Sequence, residues 1–151
     1  MRKTLLCIGL VALPAGVSVS QGAGRVTLRA NDPRLERLQE FFAERDCPLR
    51  ETAAEFLVAA DENGLDWRLL PSLSIIESSG GKDYTNNNVF GWDSCRENFA
   101  SVSTGIHFVA DRLANSKLYK GKDLDDKLRT YNPVPAYGTR VKAVMASLGT
   151  N

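Results

Sequence analysis

Glu77 ends an apolar run in Ile75-Ile76-Glu77-Ser78-Ser79-Gly80-Gly81-Lys82, and a second stretch, Asn86-Asn87-Asn88-Val89-Phe90-Gly91-Trp92, follows it closely. Leu69, Leu73 and Ile76 fall at helical spacing, so the helix that carries Glu77 buries one face and leaves the carboxylate at the edge of its apolar stripe. Partial desolvation there disfavours the charged form. The negative end of the helix macrodipole repels an anion in the last turn. Both effects favour a side chain that keeps its proton near neutral pH, as a general acid must. The bland alternative is a solvated Glu in a last helical turn, the commoner fate of one carboxylate taken on position alone.

The neighbouring residue types suit a sugar. Aromatic faces stack on the C–H surface of a pyranose, and amides match its hydroxyl and acetamido groups. Phe90, Trp92, Tyr84, Tyr131 and Tyr137 supply rings, and Asn87 and Asn88 supply amides. Core packing is the commoner fate of any one ring, and Trp67, at the start of a buried helix, is assigned to the core.

Other chemistries find no foothold. His107 is the single histidine and the cysteines have no CxxC spacing, so no metal site is expected. Next to Ile106 on a helix, His107 reads as a surface or partly packed residue. No nucleophile-elbow motif supports a Ser–His–Asp arrangement, and no glycine-rich loop follows a strand to cradle phosphate. No cofactor is implied.

The elements that must position Glu77 are helices. Asp32-Pro33 starts one carrying Leu35, Leu38 and Phe42, which Pro48 ends. A second runs from about Arg50 through Phe56 and Leu57 to a stop at Gly64. Asp66 is placed to cap the third, where Pro71 either kinks the helix or moves its start to about Leu70. Ser103 is placed to cap a fourth with Ile106, Val109, Ala110 and Leu113 on one face. Asp123 caps a fifth with Leu124 and Leu128, and the last begins near Tyr137 and runs through Val141, Val144 and Leu148. The stretch from Gly80 to Phe99 has no helical period; loops of that length in compact domains are usually functional, and a short hairpin within it is one option. The class is all-α, with about six helices and a loop-rich insert.

Length and composition bound the rest. The chain has 151 residues, 43% hydrophobic, enough for one domain with its own core. Residues 1–20 have a basic start at Arg2 and Lys3, an apolar run from Leu5 to Val19 and small residues before Gln21, the layout of a secretory signal peptide. Residues 21–31 read as an extended lead-in and 32–149 as the domain. Without Arg2 and Lys3, 17 of the 19 basic residues remain against 18 acidic ones. No basic stripe is left to argue for nucleic acid, and no membrane insertion is expected once the signal is removed. Cys47 and Cys95 stay in the exported portion, where an even pair suggests a disulfide enclosing the Glu77 segment.

Several motifs together resemble a family. Glu77-Ser78-Ser79-Gly80-Gly81-Lys82 resembles a segment of the bacterial cell-wall endo-β-N-acetylglucosaminidases of the lysozyme-like superfamily, and Asn87-Asn88-Val89-Phe90-Gly91 resembles the Asn- and Phe-containing motif that follows their glutamate. Phe99-x-Ser101-Val102 and Tyr131-x-Pro133-x-x-x-Tyr137-x-x-x-Val141 are similar to later parts of the same domain, so the likeness covers about residues 50–148. It implies a lysozyme-like helical fold with a groove between lobes, and Glu77 as the acid that protonates the glycosidic oxygen. It further implies that Asn87, Asn88, Phe90 and Gly91 shape the sugar-binding wall and that Tyr137 faces the cleft; Trp92 and Tyr131 stand as sugar-binding candidates on residue type. The substrate implied is peptidoglycan, cut at the β-1,4 bond after N-acetylglucosamine; export, read independently from residues 1–20, agrees with this, and a monomer is expected.

The chain departs from the family in its second carboxylate, for which Asp83, Asp93 and Glu97 are the candidates, Asp93 and Glu97 foremost. Inverting glycosidases hold their two carboxyls about 6.5–9.5 Å apart and retaining ones about 5–5.5 Å. Attack by the substrate's own acetamido oxygen needs no second carboxylate, nor does attack by its C6 hydroxyl, the route of the lytic transglycosylases, whose Glu-Ser and Tyr-Asn motifs also resemble Glu77-Ser78 and Tyr131-Asn132. A non-catalytic glycan-binding module of the same fold is the alternative from another class.

Overall fold

In the computed structural model, which describes residues 28, 29 and 31–149, six α-helices and two 3₁₀ turns account for the regular structure, with no strand among the described residues. The expected signal peptide, residues 1–20, and most of the expected lead-in lie outside those residues. The helices are α1 (Pro33–Ala43), α2 (Ala53–Glu62), α3 (Leu69–Ser78), α4 (Val102–Asn115), α5 (Leu124–Tyr131) and α6 (Pro135–Ser147). The 3₁₀ turns span Pro48–Thr52 and Trp92–Cys95. None of the described helices is long and apolar enough to cross a membrane.

α2 is the hub because its sequence is apolar on nearly every side, with Ala53, Phe56, Leu57, Ala59 and Ala60 all buried. It packs on α1 and α4, while α3 packs on α6 and α5 closes against α6. Phe56 meets Phe42 at 5.7 Å between ring centroids and Phe90 at 6.2 Å, so one line of rings ties α1, α2 and the insert together. Trp67 is in the core, as expected.

Helix starts follow the caps, with three corrections. Asp32 and Asp123 accept the backbone N–H groups of Arg34 and Asp126, as the sequence predicts. Arg68, not Asp66, is the N-cap of α3; the helix starts at Leu69, one residue from the expected start near Leu70, and Pro71 falls in its first turn, where it interrupts no helical hydrogen bond. α4 is capped by Ser101, which accepts from Thr104 N–H at 3.1 Å; Ser103 lies inside the helix and donates to Glu55 of α2. α6 begins at Pro135, two residues ahead of Tyr137, because a Pro at the first helical position is already set for the helix.

The insert holds no hairpin. Asparagine side chains do the work of a ladder: Asn86 donates to the Cys95 carbonyl at 3.0 Å and Asn87 to the Phe99 carbonyl at 2.8 Å. Asn88, 1% exposed, takes the Trp92 N–H and returns a bond to the Trp92 carbonyl, each at 2.9 Å. Asn86 and Asn87 also sit at φ 56° and 54°, a region Asn tolerates better than most residues.

The expected disulfide is not formed; Cys47 and Cys95 are both free thiols. Cys47 is buried where Arg45 and the end of α3 meet, its thiol near the carbonyls of Arg45 and Ser79, and burial pushes that thiol up from its ordinary pKa. Cys95 lies in the second 3₁₀ turn, with its sulfur towards Gly91.

Candidate active site

Glu77 is one residue from the end of α3, and the chain leaves that helix abruptly. Ser79 caps it in the left-handed region at φ 51°, and Gly80 and Gly81 follow at φ 71° and 84°. Both glycines are required by packing as well as by φ. A Cβ on Gly80 would lie 2.2 Å from the Cys47 sulfur, and one on Gly81 would lie 2.7 Å from Cγ of Leu49. The pair therefore seats the end of α3 against the Pro48–Thr52 turn. Ser78 adds a bond from its hydroxyl to the Ser74 carbonyl and accepts from Gly81 N–H.

Glu77 is half-buried and its two carboxylate oxygens have different surroundings. Oε1 accepts a hydrogen bond of 2.6 Å from the hydroxyl of Tyr137 on α6. Oε2 faces Gly91, 3.2 Å from where a Cβ on that residue would be, and both residues line an open cavity of about 660 Å³. No Lys or Arg among the described residues pairs with Glu77. The α3–α6 packing that brings Tyr137 to Glu77 is locked at the other end of the two helices: Arg68, held by Asp66 at 2.6 Å, donates to the Gly149 carbonyl at 2.8 Å.

One wall of the cavity is aromatic. Trp92 stands edge-on to Tyr131 at 5.8 Å and to Phe108 at 6.3 Å, and tilts against Tyr119 at 6.0 Å. Tyr131 stacks on Tyr137 at 5.9 Å, with planes 12° apart, and donates its hydroxyl to the Phe90 carbonyl at 2.5 Å. Burial, with Glu77 nearby, pushes both phenols well above the ordinary tyrosine pKa. They are neutral donors at any physiological pH, which is what the hydrogen bond to Glu77 requires.

A strained turn continues the lining from Trp92. Asp93, Ser94 and Cys95 are all left-handed, at φ 50°, 56° and 62°. Each such non-glycine residue costs about 1–3 kcal/mol and persists only where its surroundings impose it; here the Asn88 side chain pins the turn at Trp92. Asp93 and Ser94 reach the cavity from this turn, and Glu97 from just beyond it.

Of the residues singled out by sequence, Glu77, Gly91, Trp92, Tyr131, Asp93 and Glu97 line the cavity. Asn87, Asn88 and Phe90 do not. The two amides are occupied by backbone groups of the insert, and the Phe90 ring is in the core at 1% exposure. Tyr137 is 3% exposed and touches Glu77 from behind rather than facing the cleft. Asp83 is on the exposed surface, away from the cavity. His107 joins α4 to α2, its two ring nitrogens 3.0 and 3.1 Å from the carboxylates of Glu55 and Glu62, and takes no part in the site.

Sequence reasoning missed Phe108, Arg112 and Tyr119 as lining residues, and with them Ser94, Ser116 and Leu118. Phe108 and Arg112 were detectable, being four apart on α4 and off the stripe formed by Ile106, Val109, Ala110 and Leu113. Tyr119 follows α4 in an irregular segment and gave no periodic cue. No protein-family model matches the chain, and no curated protein matches it in sequence.

Proposed function

We propose that this protein is an exported, lysozyme-like glycosidase that cleaves β-1,4 bonds in N-acetylglucosamine-containing glycan, with peptidoglycan as the substrate and Glu77 as the general acid. The observation that carries this reading is the division of labour on Glu77. One oxygen is fixed by a neutral phenol, and the other is turned to an open cavity walled by Trp92, Tyr119 and Tyr131. A half-buried acid beside rings able to stack on a pyranose is the minimum equipment for protonating a glycosidic oxygen.

In this scheme the Glu77 proton passes to the leaving oxygen as the C1–O bond breaks, and Tyr137 stabilises the carboxylate that remains. Asp93 and Glu97 share the cavity and are the candidates for activating the water that adds to C1. Digestion of purified sacculi, with the products read by mass spectrometry, tests the proposal. New reducing N-acetylglucosamine ends, lost in Glu77→Gln, support it; anhydro-muramic ends would move the chain to the transglycosylases. Binding without any product would leave a glycan-binding module.

A further inference from the structure

Among the described residues, four charged side chains line the cavity: the carboxylates of Glu77, Asp93 and Glu97, and a single cation, Arg112. Asp93 already pairs with Arg96 at 2.5 Å, and Glu77 is held by Tyr137. Arg112 is differently placed. Its guanidinium lies over the Phe108 ring, 4.8 Å from the centroid, and no acceptor among the described residues takes its N–H groups. Stacking fixes the plane of a guanidinium and leaves its edge open, and that edge offers paired donors matching the two oxygens of a carboxylate. Ser116, four residues further along the chain, brings a hydroxyl to the same bank.

Building on the glycan reading above, we propose that Arg112 is the specificity-determining residue of this cavity: it receives a carboxylate carried by the substrate, so that an acidic sugar unit, such as an amino sugar bearing a lactyl ether, is taken in preference to a neutral one. The charge distribution argues for it. Elsewhere in the cavity an anionic substituent would meet Glu77, Asp93 or Glu97, and only against Arg112 is its charge compensated. A neutral sugar leaves Arg112 solvated and neither gains nor loses by it. In a polymer of alternating acidic and neutral units, seating the acidic unit at Arg112 also sets which of the two linkages lies over Glu77.

The test uses N-acetylglucosaminyl-N-acetylmuramic acid and its methyl ester as probes, titrated by calorimetry into Glu77→Gln and into Glu77→Gln/Arg112→Gln. The expected result is that the first protein binds the acid about tenfold more tightly than the ester, with the margin shrinking as salt rises. Arg112→Gln should bring the acid down to the ester without weakening the ester. Equal binding of the two probes, binding of neither, or a preference that survives Arg112→Gln overturns the proposal. Arg112 also stands in the last turn of α4, where a cation complements the helix dipole. Thermal unfolding of Arg112→Gln is therefore recorded alongside, and a loss of stability with the acid preference intact counts against the proposal. The glycosidase reading is judged separately, by wild-type turnover. An acid preference without turnover keeps Arg112 and removes the enzyme, whereas turnover without the preference does the reverse.

Discussion

The hydroxyl of Tyr137 donates to Oε1 of Glu77 across 2.6 Å, joining α6 to the last turn of α3 over 60 residues of sequence. The bond fixes the carboxylate's rotation, and with it the direction of the oxygen left facing the cavity. Removing the hydroxyl while keeping the ring isolates this effect. On the proposed mechanism Tyr137→Phe should lower kcat on peptidoglycan about tenfold with KM nearly unchanged, because the hydroxyl would act on the acid and not on the sugar. Stability should fall by only about 1 kcal/mol. Steady-state kinetics beside urea unfolding checks both; a KM effect with unaltered kcat contradicts the positioning role.

Glu77→Gln keeps the shape of the side chain and removes the acid. Muropeptide release should fall about 10²–10⁴-fold, with the far-ultraviolet circular dichroism spectrum unchanged. Retention of wild-type turnover would remove Glu77 from the mechanism.

Asn88 stands for the opposite kind of residue, structural though close to the site. Its amide satisfies both backbone groups of Trp92 from a position 1% exposed. Asn88→Ala leaves those groups without partners and should cost about 2–3 kcal/mol in denaturant unfolding. It should also raise KM, since Trp92 and the left-handed turn after it form one bank of the cavity. Asn87→Ala, losing one bond to the Phe99 carbonyl, should cost less.

Gly80→Ala places a methyl where the Cys47 sulfur lies, at a φ of 71° that favours glycine. Destabilisation of about 2–3 kcal/mol is expected. Cys47→Ala should relieve part of it in the double variant, because the sulfur is the nearest obstacle and Cys47 Cβ, at 2.8 Å, is the next. Additive losses, read from a double-mutant cycle, would show that the strain at φ and not the contact dominates.

Alkaline pH should unfold the protein through its buried phenols. Tyr131 and Tyr137 have raised pKa values in the folded state because burial and Glu77 both disfavour the phenolate. A group shifted upward binds its proton more tightly when folded, so its contribution is complete below the unfolded tyrosine value of about 10 and is lost as pH rises beyond it. Stability should therefore fall above about pH 10, and Tyr137→Phe should flatten that fall. Thermal midpoints measured between pH 8 and 11 decide the matter.

Much of the scaffold was legible because apolar spacing and helix caps are local. Phe42, Phe56 and Val141 fall on the buried faces that their periods predict, and Asp32 and Asp123 cap where expected. Misplaced boundaries trace to tertiary competition. Ser101 and Ser103 are both able to cap α4, and Glu55, on another helix, engages the second. The site was legible only in part, for a similar reason. An asparagine has the same letter whether its amide meets a sugar or a backbone carbonyl, and the return of the chain from Asn86 to Phe99 settles which. The same limit applied to Phe90, a ring in a promising loop that the fold turns inward onto Phe56.

That inward turn ties the trough to the centre of the molecule. Phe90 anchors its segment in the ring stack of the core, and its carbonyl holds Tyr131, so the bank bearing Gly91 and Tyr131 is bolted to the centre of the molecule. Leu118, 59% exposed, lines the same cavity after the end of α4, beside Tyr119, which is buried and packs on Trp92. Loosening the ring stack at Phe56 is therefore felt at Gly91 and Tyr131, which makes the shape of the trough a dependent of the core.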